Sequence, residues 1–134
     1  MKEDILKEYG LKKTQARTLI LECLQSKEYA LSHKDLEEAL SNELDRVTIY
    51  RTLNSFEEKG IVHKVLNEDG VSYYAVCQNN CDHHHHHDNH IHFHCISCRK
   101  IYCLSDFNLS GIKIPAGFSI KDTDLKIEGL CKHC

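Results

Sequence analysis

The residues with chemistry to offer are cysteine and histidine, and one run concentrates them. CQNNCDHHHHHDNHIHFHCISC, from Cys77 to Cys98, holds four cysteines and eight histidines and has no helical period. Thiolate and neutral imidazole are the donors that a borderline-soft ion such as zinc takes. The run ends in a Cys-x-x-Cys knuckle, Cys95 and Cys98, and a second knuckle, Cys131 and Cys134, closes the sequence. Together they offer four thiolates, enough for a closed tetrahedral structural site. The 32 residues between the knuckles exceed the spacing of a compact zinc ribbon, so strands are needed to bring them together.

The histidines are left for a second task. His90 to Cys95 alternates, and as a strand it sends His90, His92 and His94 to one face and Ile91, Phe93 and Cys95 to the other. His63 lies on the first strand of a hairpin and Cys77 just past its second, and because the hairpin folds back on itself they come near each other; with His90 and His92 they would make a tetrahedral N₃S site. Cys103, His94, Cys81 and the tract His83, His84, His85, His86 and His87 are additional candidate ligands. The tract reads as a loop that binds metal loosely, or as a low-affinity zinc antenna for the neighbouring site. A catalytic zinc would need a general base, and Asp88 is the only acid near His90 and His92, so an enzyme is not expected.

The 134 residues make one ordinary domain or two small ones, and no apolar run is long enough to span a membrane. The opening MKEDILKEYG has no apolar signal-peptide core, so the eight cysteines are expected to meet a reducing cytoplasm, where metal binding outranks disulfides. The net charge is −3, and residues 1–77 carry 11 Lys+Arg against 14 Asp+Glu. Nucleic-acid binding would therefore rest on a local basic face with few phosphate contacts.

The elements that must position these groups are legible. Thr14 caps a helix over residues 14–25, with Ala16, Leu19, Ile20, Cys23 and Leu24 on its apolar face and Arg17 turned outward as a candidate DNA contact. Ser32 and Asp35 form a capping box inside a Leu31/Leu36 staple and start a helix to about Ser41, with His33 read as an exposed neutral histidine in its first turn. Asp45 caps a third helix, Arg46 to Lys59, and Gly60 stops it. Ile49, Leu53 and Phe56 make its packed side, while Val47 and Arg51 lie opposite. An outward Val47, beside Thr48, Tyr50 and Arg51, suits a thymine methyl in the major groove. A hairpin follows, Ile61 to Leu66 and Val71 to Val76 about Asn67-Glu68-Asp69-Gly70. Helices, turn, reading helix and hairpin make a winged helix-turn-helix. Beyond it, Ile101 to Leu104 and Phe118 to Ile127 read as strands, with Pro115-Ala116-Gly117 as a turn.

Asp45-Arg46-Val47-Thr48-Ile49-Tyr50-Arg51-Thr52-Leu53, the following Gly60-Ile61-Val62, His90-x-His92-x-x-Cys95-x-x-Cys98 and Cys131-x-x-Cys134 resemble, in that order, the ferric uptake regulator family of bacterial metalloregulators. The resemblance covers nearly the whole chain and is strongest to the zinc uptake regulators. It implies an α+β fold with a winged-helix DNA-binding domain over 1–77, a His-rich hinge loop over 78–89, and a small α/β dimerisation and metal-binding domain over 90–134. It implies a homodimeric repressor of metal uptake genes that binds double-stranded DNA at A·T-rich palindromic operators, with no small-molecule substrate. By the same resemblance, Tyr50 and Arg51 contact the operator and Lys12 reaches its minor groove. The zinc branch takes its sensory ligands from the hinge, a cysteine after the wing and the His-x-His pair, and His63 stands where those relatives commonly carry aspartate. Cys103 replaces an acidic ligand, Ala30 a histidine, and Asn89, Ile91, Ser110 and Thr123 stand at a further family site that they cannot form. These departures favour zinc, with iron, peroxide, nickel or manganese sensing as alternatives within the family and zinc buffering as one outside it.

Overall fold

The computed structural model describes residues 5–76, 90–104, 113–120 and 124–134. Cys77, Cys81, His83 to His87, Asn89, Ser110 and Thr123 lie outside the described residues, as does the loop expected over 78–89. The chain divides into two compact units, Met1–Cys77 and Gln78–Cys134.

The first unit is built on helices that start where capping chemistry says they should. A short helix α1, Ile5–Glu8, precedes α2, Gln15–Gln25. Thr14 caps α2 by accepting the Arg17 N–H at 3.2 Å. Helix α3, His33–Leu40, opens on the expected capping box: Ser32 Oγ accepts from Asp35 N at 3.1 Å, and Asp35 Oδ2 accepts from Ser32 N at 3.0 Å. Helix α4, Arg46–Lys59, begins with Asp45 Oδ1 accepting from Thr48 N at 2.8 Å. It ends at Gly60, whose φ of 84° is a left-handed conformation that costs glycine nothing.

Its core draws one stripe from each helix. Ile20 and Leu24 of α2, Leu36 of α3, and Ile49, Leu53 and Phe56 of α4 are buried together. The hairpin strands β2, Val62–Leu66, and β3, Ser72–Val76, pair antiparallel with Val62 opposite Val76 and Leu66 opposite Ser72. Asn67 closes the turn, its Oδ1 accepting from Asp69 N and Val71 N. A two-residue strand β1, Leu31–Ser32, pairs with β3 on its other edge, a pairing not expected from sequence. The result is a winged helix-turn-helix.

The second unit is organised by one strand. β4, His90–Cys95, pairs antiparallel with β5, Ile101–Leu104, and parallel with β6, Asp124–Gly129, giving the order β5-β4-β6. The strand expected over Phe118 to Ile127 is corrected here. Residues 118–120 are not in a strand, Phe118 and Ile120 are 73% and 58% exposed, and pairing with β4 starts only at Asp124. The turn at Pro115 to Phe118 is as expected, with Phe118 N donating to Pro115 O at 3.2 Å. The expected segment over 106–112 lies outside the described residues, and no helix occurs among the described residues of this unit.

Candidate metal centres and nucleic-acid interface

β4 delivers Cys95 at its end, and the following turn folds so that Cys98 N points at Cys95 Sγ, 3.5 Å away. Arg99 completes the turn with a φ of 67°, left-handed for a residue with a side chain, and its N–H donates to Cys95 O at 3.0 Å. β6 carries the chain back alongside β4, where Ile96 N donates to Gly129 O at 2.8 Å and Cys131 N to Cys95 Sγ at 3.4 Å. The two knuckles meet. Sulfur separations are 3.8 Å for Cys95 and Cys134, 3.7 Å for Cys98 and Cys131, and 3.5 Å for Cys131 and Cys134.

Those distances discriminate between chemistries. A disulfide would hold sulfurs at about 2.05 Å, and all four cysteines are free thiols. A zinc–thiolate bond of about 2.3 Å in tetrahedral geometry puts ligand sulfurs about 3.8 Å apart. The cluster has the spacing of a tetrahedral S₄ site, and all four sulfurs lie within 4.8 Å of one another.

The surroundings favour thiolates. The backbone N–H of Cys98, with help from those of Cys131 and Ser97, brings Cys95 down to about 6 from the ordinary 9.0. Burial raises Cys131, but the His133 N–H, the Tyr102 hydroxyl and the Cys134 and Cys98 thiols together outweigh it and the group ends lowered. Cys134 is pushed up to about 12 by the Cys131 sulfur beside it, so without metal it holds a proton for the group. Tyr102, which the sequence did not single out, is a buried support of the cluster. Its signal was available: it lies one residue from Cys103 in a strand that follows the first knuckle.

The histidine face is placed in part. His92 is buried, 7% exposed, and stands directly opposite Cys103 in the β4–β5 register. Their donor atoms are within 4.8 Å. Burial drives the Cys103 thiol up to about 11, so it stays protonated at neutral pH unless a cation takes the proton's place. His94 is half-buried, between Ile101 on β5 and Glu128 on β6. His90 opens β4 opposite Asp124, and His63 is half-buried on β2 opposite Ala75.

In the first unit, the face of α4 expected to read DNA is turned to solvent. Val47 and Tyr50 are 54% and 57% exposed although both are large and hydrophobic, Arg51 is exposed, and Thr48 is half-buried. The packed side continues through Thr52, whose hydroxyl donates to Thr48 O at 2.8 Å. Lys12 is exposed, and Arg17 has a role not expected for it: its guanidinium donates to Lys12 O at 2.6 Å, pinning the segment that carries Lys12. Two further residues were missed. Arg46, with a side chain 81% exposed, is a cation in the first turn of α4, and its Nε pairs with Glu37 Oε1 at 3.4 Å. His33 is not the exposed residue expected. Its side chain is 23% exposed, and its ring packs on Tyr50 with centroids 5.9 Å apart.

Comparison with known proteins agrees with the fold. The profile of the ferric uptake regulator family matches residues 8–128. The ferric uptake regulation protein of Escherichia coli K12 is 34% identical over 134 residues, covering 94% of this chain and 85% of that protein. Among solved structures, the ferric uptake regulator of Vibrio cholerae superposes with a TM-score of 0.66 at 26% identity, covering 95% of this chain and 97% of that one. A zinc uptake regulator in complex with zinc and DNA shares the fold, with a TM-score of 0.63 at 22% identity over 97% of this chain and 87% of that one. No helix among the described residues is long and apolar enough to cross a membrane. The chain belongs to the ferric uptake regulator family, whose members are DNA-binding transcriptional regulators and not enzymes.

Proposed function

We propose that the chain is a zinc-responsive repressor that acts as a homodimer on A·T-rich palindromic operators of metal uptake genes in the cytoplasm. Residues 1–77 bind DNA through Lys12, Val47, Thr48, Tyr50 and Arg51, with Arg17 holding Lys12 in place. Residues 90–134 bind metal and dimerise, and 78–89 link the two. Cys95, Cys98, Cys131 and Cys134 hold a structural zinc. The regulatory zinc takes His63, Cys77, His90 and His92, with Cys103 available as a further thiolate beside His92.

The observation that carries the choice of metal is the pairing of His92 with Cys103. A buried imidazole and a half-buried thiol within 4.8 Å make a soft N/S donor pair. Ligands of that kind suit zinc better than the oxygen-rich sets that hold manganese or magnesium. An ion that binds one arrangement of a protein better than the others shifts the population towards it, and only that differential affinity does so. A two-fold dimer must match half-sites about one helical turn apart, roughly 34 Å. Zinc would fix the spacing, and coupling of about 1–3 kcal/mol per site is typical of such linkage.

The test is DNA affinity measured against separately buffered free zinc, iron, manganese and nickel. Zinc is expected to promote binding at the lowest free concentration, and Cys77→Ser or His92→Ala to abolish the response while the dimer persists. Equal promotion by iron, or an unaltered zinc response in both variants, overturns the assignment.

A further inference from the structure

Helix α3 carries a small polar cluster for which neither metal centre has a use. His33 Nδ1 faces Glu37 Oε2 across 3.6 Å, one helical turn along the same helix. The other carboxylate oxygen, Glu37 Oε1, faces Arg46 Nε of α4 at 3.4 Å. The imidazole also packs on Tyr50, with ring centroids 5.9 Å apart and the rings inclined at 59°. Nε2 of His33 is enclosed and has no hydrogen-bond partner among the described residues. One carboxylate thus ties the first residue of α3 to the first residue of α4, and the imidazole between is clamped against an aromatic side chain.

We propose that His33 is a positioning residue for DNA reading, a brace that holds Tyr50 in its reading rotamer while Glu37 holds the brace and Arg46 together. The inference rests on the reading of α4 as the DNA-contacting helix. Tyr50 is 57% exposed, and a tyrosine that exposed would otherwise sample several staggered rotamers. Each rotamer lost on binding weakens association. A ring packed against one flank removes that freedom in advance, and tilted aromatic contacts add their own attraction. Glu37 completes the arrangement because its carboxylate lies 3.6 Å from Nδ1 and limits rotation of the ring away from Tyr50. The same carboxylate keeps the exposed Arg46 close to the first turn of α4, poised for a phosphate. Histidine suits the position because it combines a flat ring for Tyr50 with a polar edge for Glu37.

The experiment uses the full-length, zinc-loaded protein and a duplex selected by that protein from a randomised A·T-rich pool, with affinity read by fluorescence anisotropy. His33→Leu keeps the bulk, so the head should fold, but it removes the ring. It is expected to weaken binding about three- to tenfold, the scale of an aromatic pair. His33→Phe keeps the ring and is expected to stay within about twofold of wild type. Tyr50→Ala is expected to weaken binding, and in its background His33→Leu is expected to add nothing, because the brace has lost its object. A merely structural role for His33 would give the same penalty in both backgrounds. Equal penalties, or His33→Leu at wild-type affinity beside a weakened Tyr50→Ala, overturn the brace alone. Tyr50→Ala at wild-type affinity overturns the reading of α4 and the brace with it.

Discussion

The two units are held together by different physics. In the first, Ile20, Leu36, Ile49, Leu53 and Phe56 are nearly sealed from water, and the caps of α2, α3 and α4 satisfy helix starts that would otherwise be left open. Apolar burial is the principal driving force there. In the second, Ile91 and Ile101 are sealed, but Ile96, Phe118, Ile120 and Leu130 are more than half exposed, and two of the buried side chains are the thiols Cys95 and Cys131. Among the described residues the sheet has so thin an apolar layer that a cross-link would add much of its stability, and the knuckles are placed to accept one. The first unit should therefore fold without metal and the second only with it.

The strongest way to break this contrast is to remove the metal. Treating the full chain with a strong chelator, or replacing Cys131 with Ser, is expected to collapse the dispersed amide signals of 90–134 in a nitrogen-15 NMR spectrum. Signals of α2 to α4 should stay in place. A second unit that keeps its dispersion at undetectable zinc content would show that its apolar layer suffices alone.

The converse change is Phe56→Ala. Truncating a fully buried phenylalanine typically costs about 3–5 kcal/mol, and Phe56 is 0% exposed in the core of the first unit. Urea melts followed by the helical circular dichroism should lose that amount. Zinc content should remain that of the unmutated chain, and loss of zinc in step with the helices would mean that the units share one cooperative fold.

A subtler separation comes from pH. Zinc must displace whatever protons the thiols hold, so its affinity falls as pH falls. Cys95 has a folded-state value near 6, lowered from 9.0 chiefly by the Cys98 N–H. A lowered group gives its thiolate-linked stability in full above the unfolded value of 9.0 and loses it as pH falls through about 6. Cys95 therefore begins to compete with zinc only near pH 6. Cys134, raised to about 12, holds its proton throughout the neutral range and competes at every pH below that. Between pH 8 and 7, competition by Cys134 should weaken zinc by about tenfold for each proton displaced, and below pH 6 the slope should steepen as Cys95 joins. Chelator competition at fixed pH values measures it. A flat profile from pH 8 to 7 would mean that no sulfur in the cluster carries a proton to displace.

The same contrast explains what was legible in the sequence. Helix α4 was read to the residue because its signals are local: Asp45 as a cap, Gly60 as a left-handed stop, and Ile49, Leu53 and Phe56 at helical spacing. The knuckles were legible because Cys-x-x-Cys is itself a local geometry. Failures came where a distant partner decides. Phe118 and Ile120 alternate like a strand, yet β6 starts at Asp124 because pairing begins only where the chain runs alongside His90. Leu31 and Ser32 announced a staple and a cap, and their second task as a strand beside Tyr73 and Tyr74 had no signal of its own. His33 looked solvated because only the tertiary approach of α4 brings Tyr50 to it. Cys103 was noticed for its thiol, but its position opposite His92 depends on a register set through the knuckle between β4 and β5.

The smallest predicted effect tests whether a local signal can be changed without disturbing either unit. Ser32→Ala removes the oxygen that accepts from Asp35 N, and losing an N-cap of this kind costs about 1 kcal/mol. The strand pairing of residue 32 with Tyr73 uses backbone groups and should survive. The stability of the first unit should drop by that small amount in urea, far less than for Phe56→Ala, with zinc affinity unchanged. DNA affinity is the informative reading. His33 is the residue next to the cap, and if fraying of the first turn of α3 loosens the ring from Tyr50, operator binding should weaken slightly. That loss should vanish in a Tyr50→Ala background. A loss that persists there would place the effect of the cap on the fold of the head and not on the reading side chain.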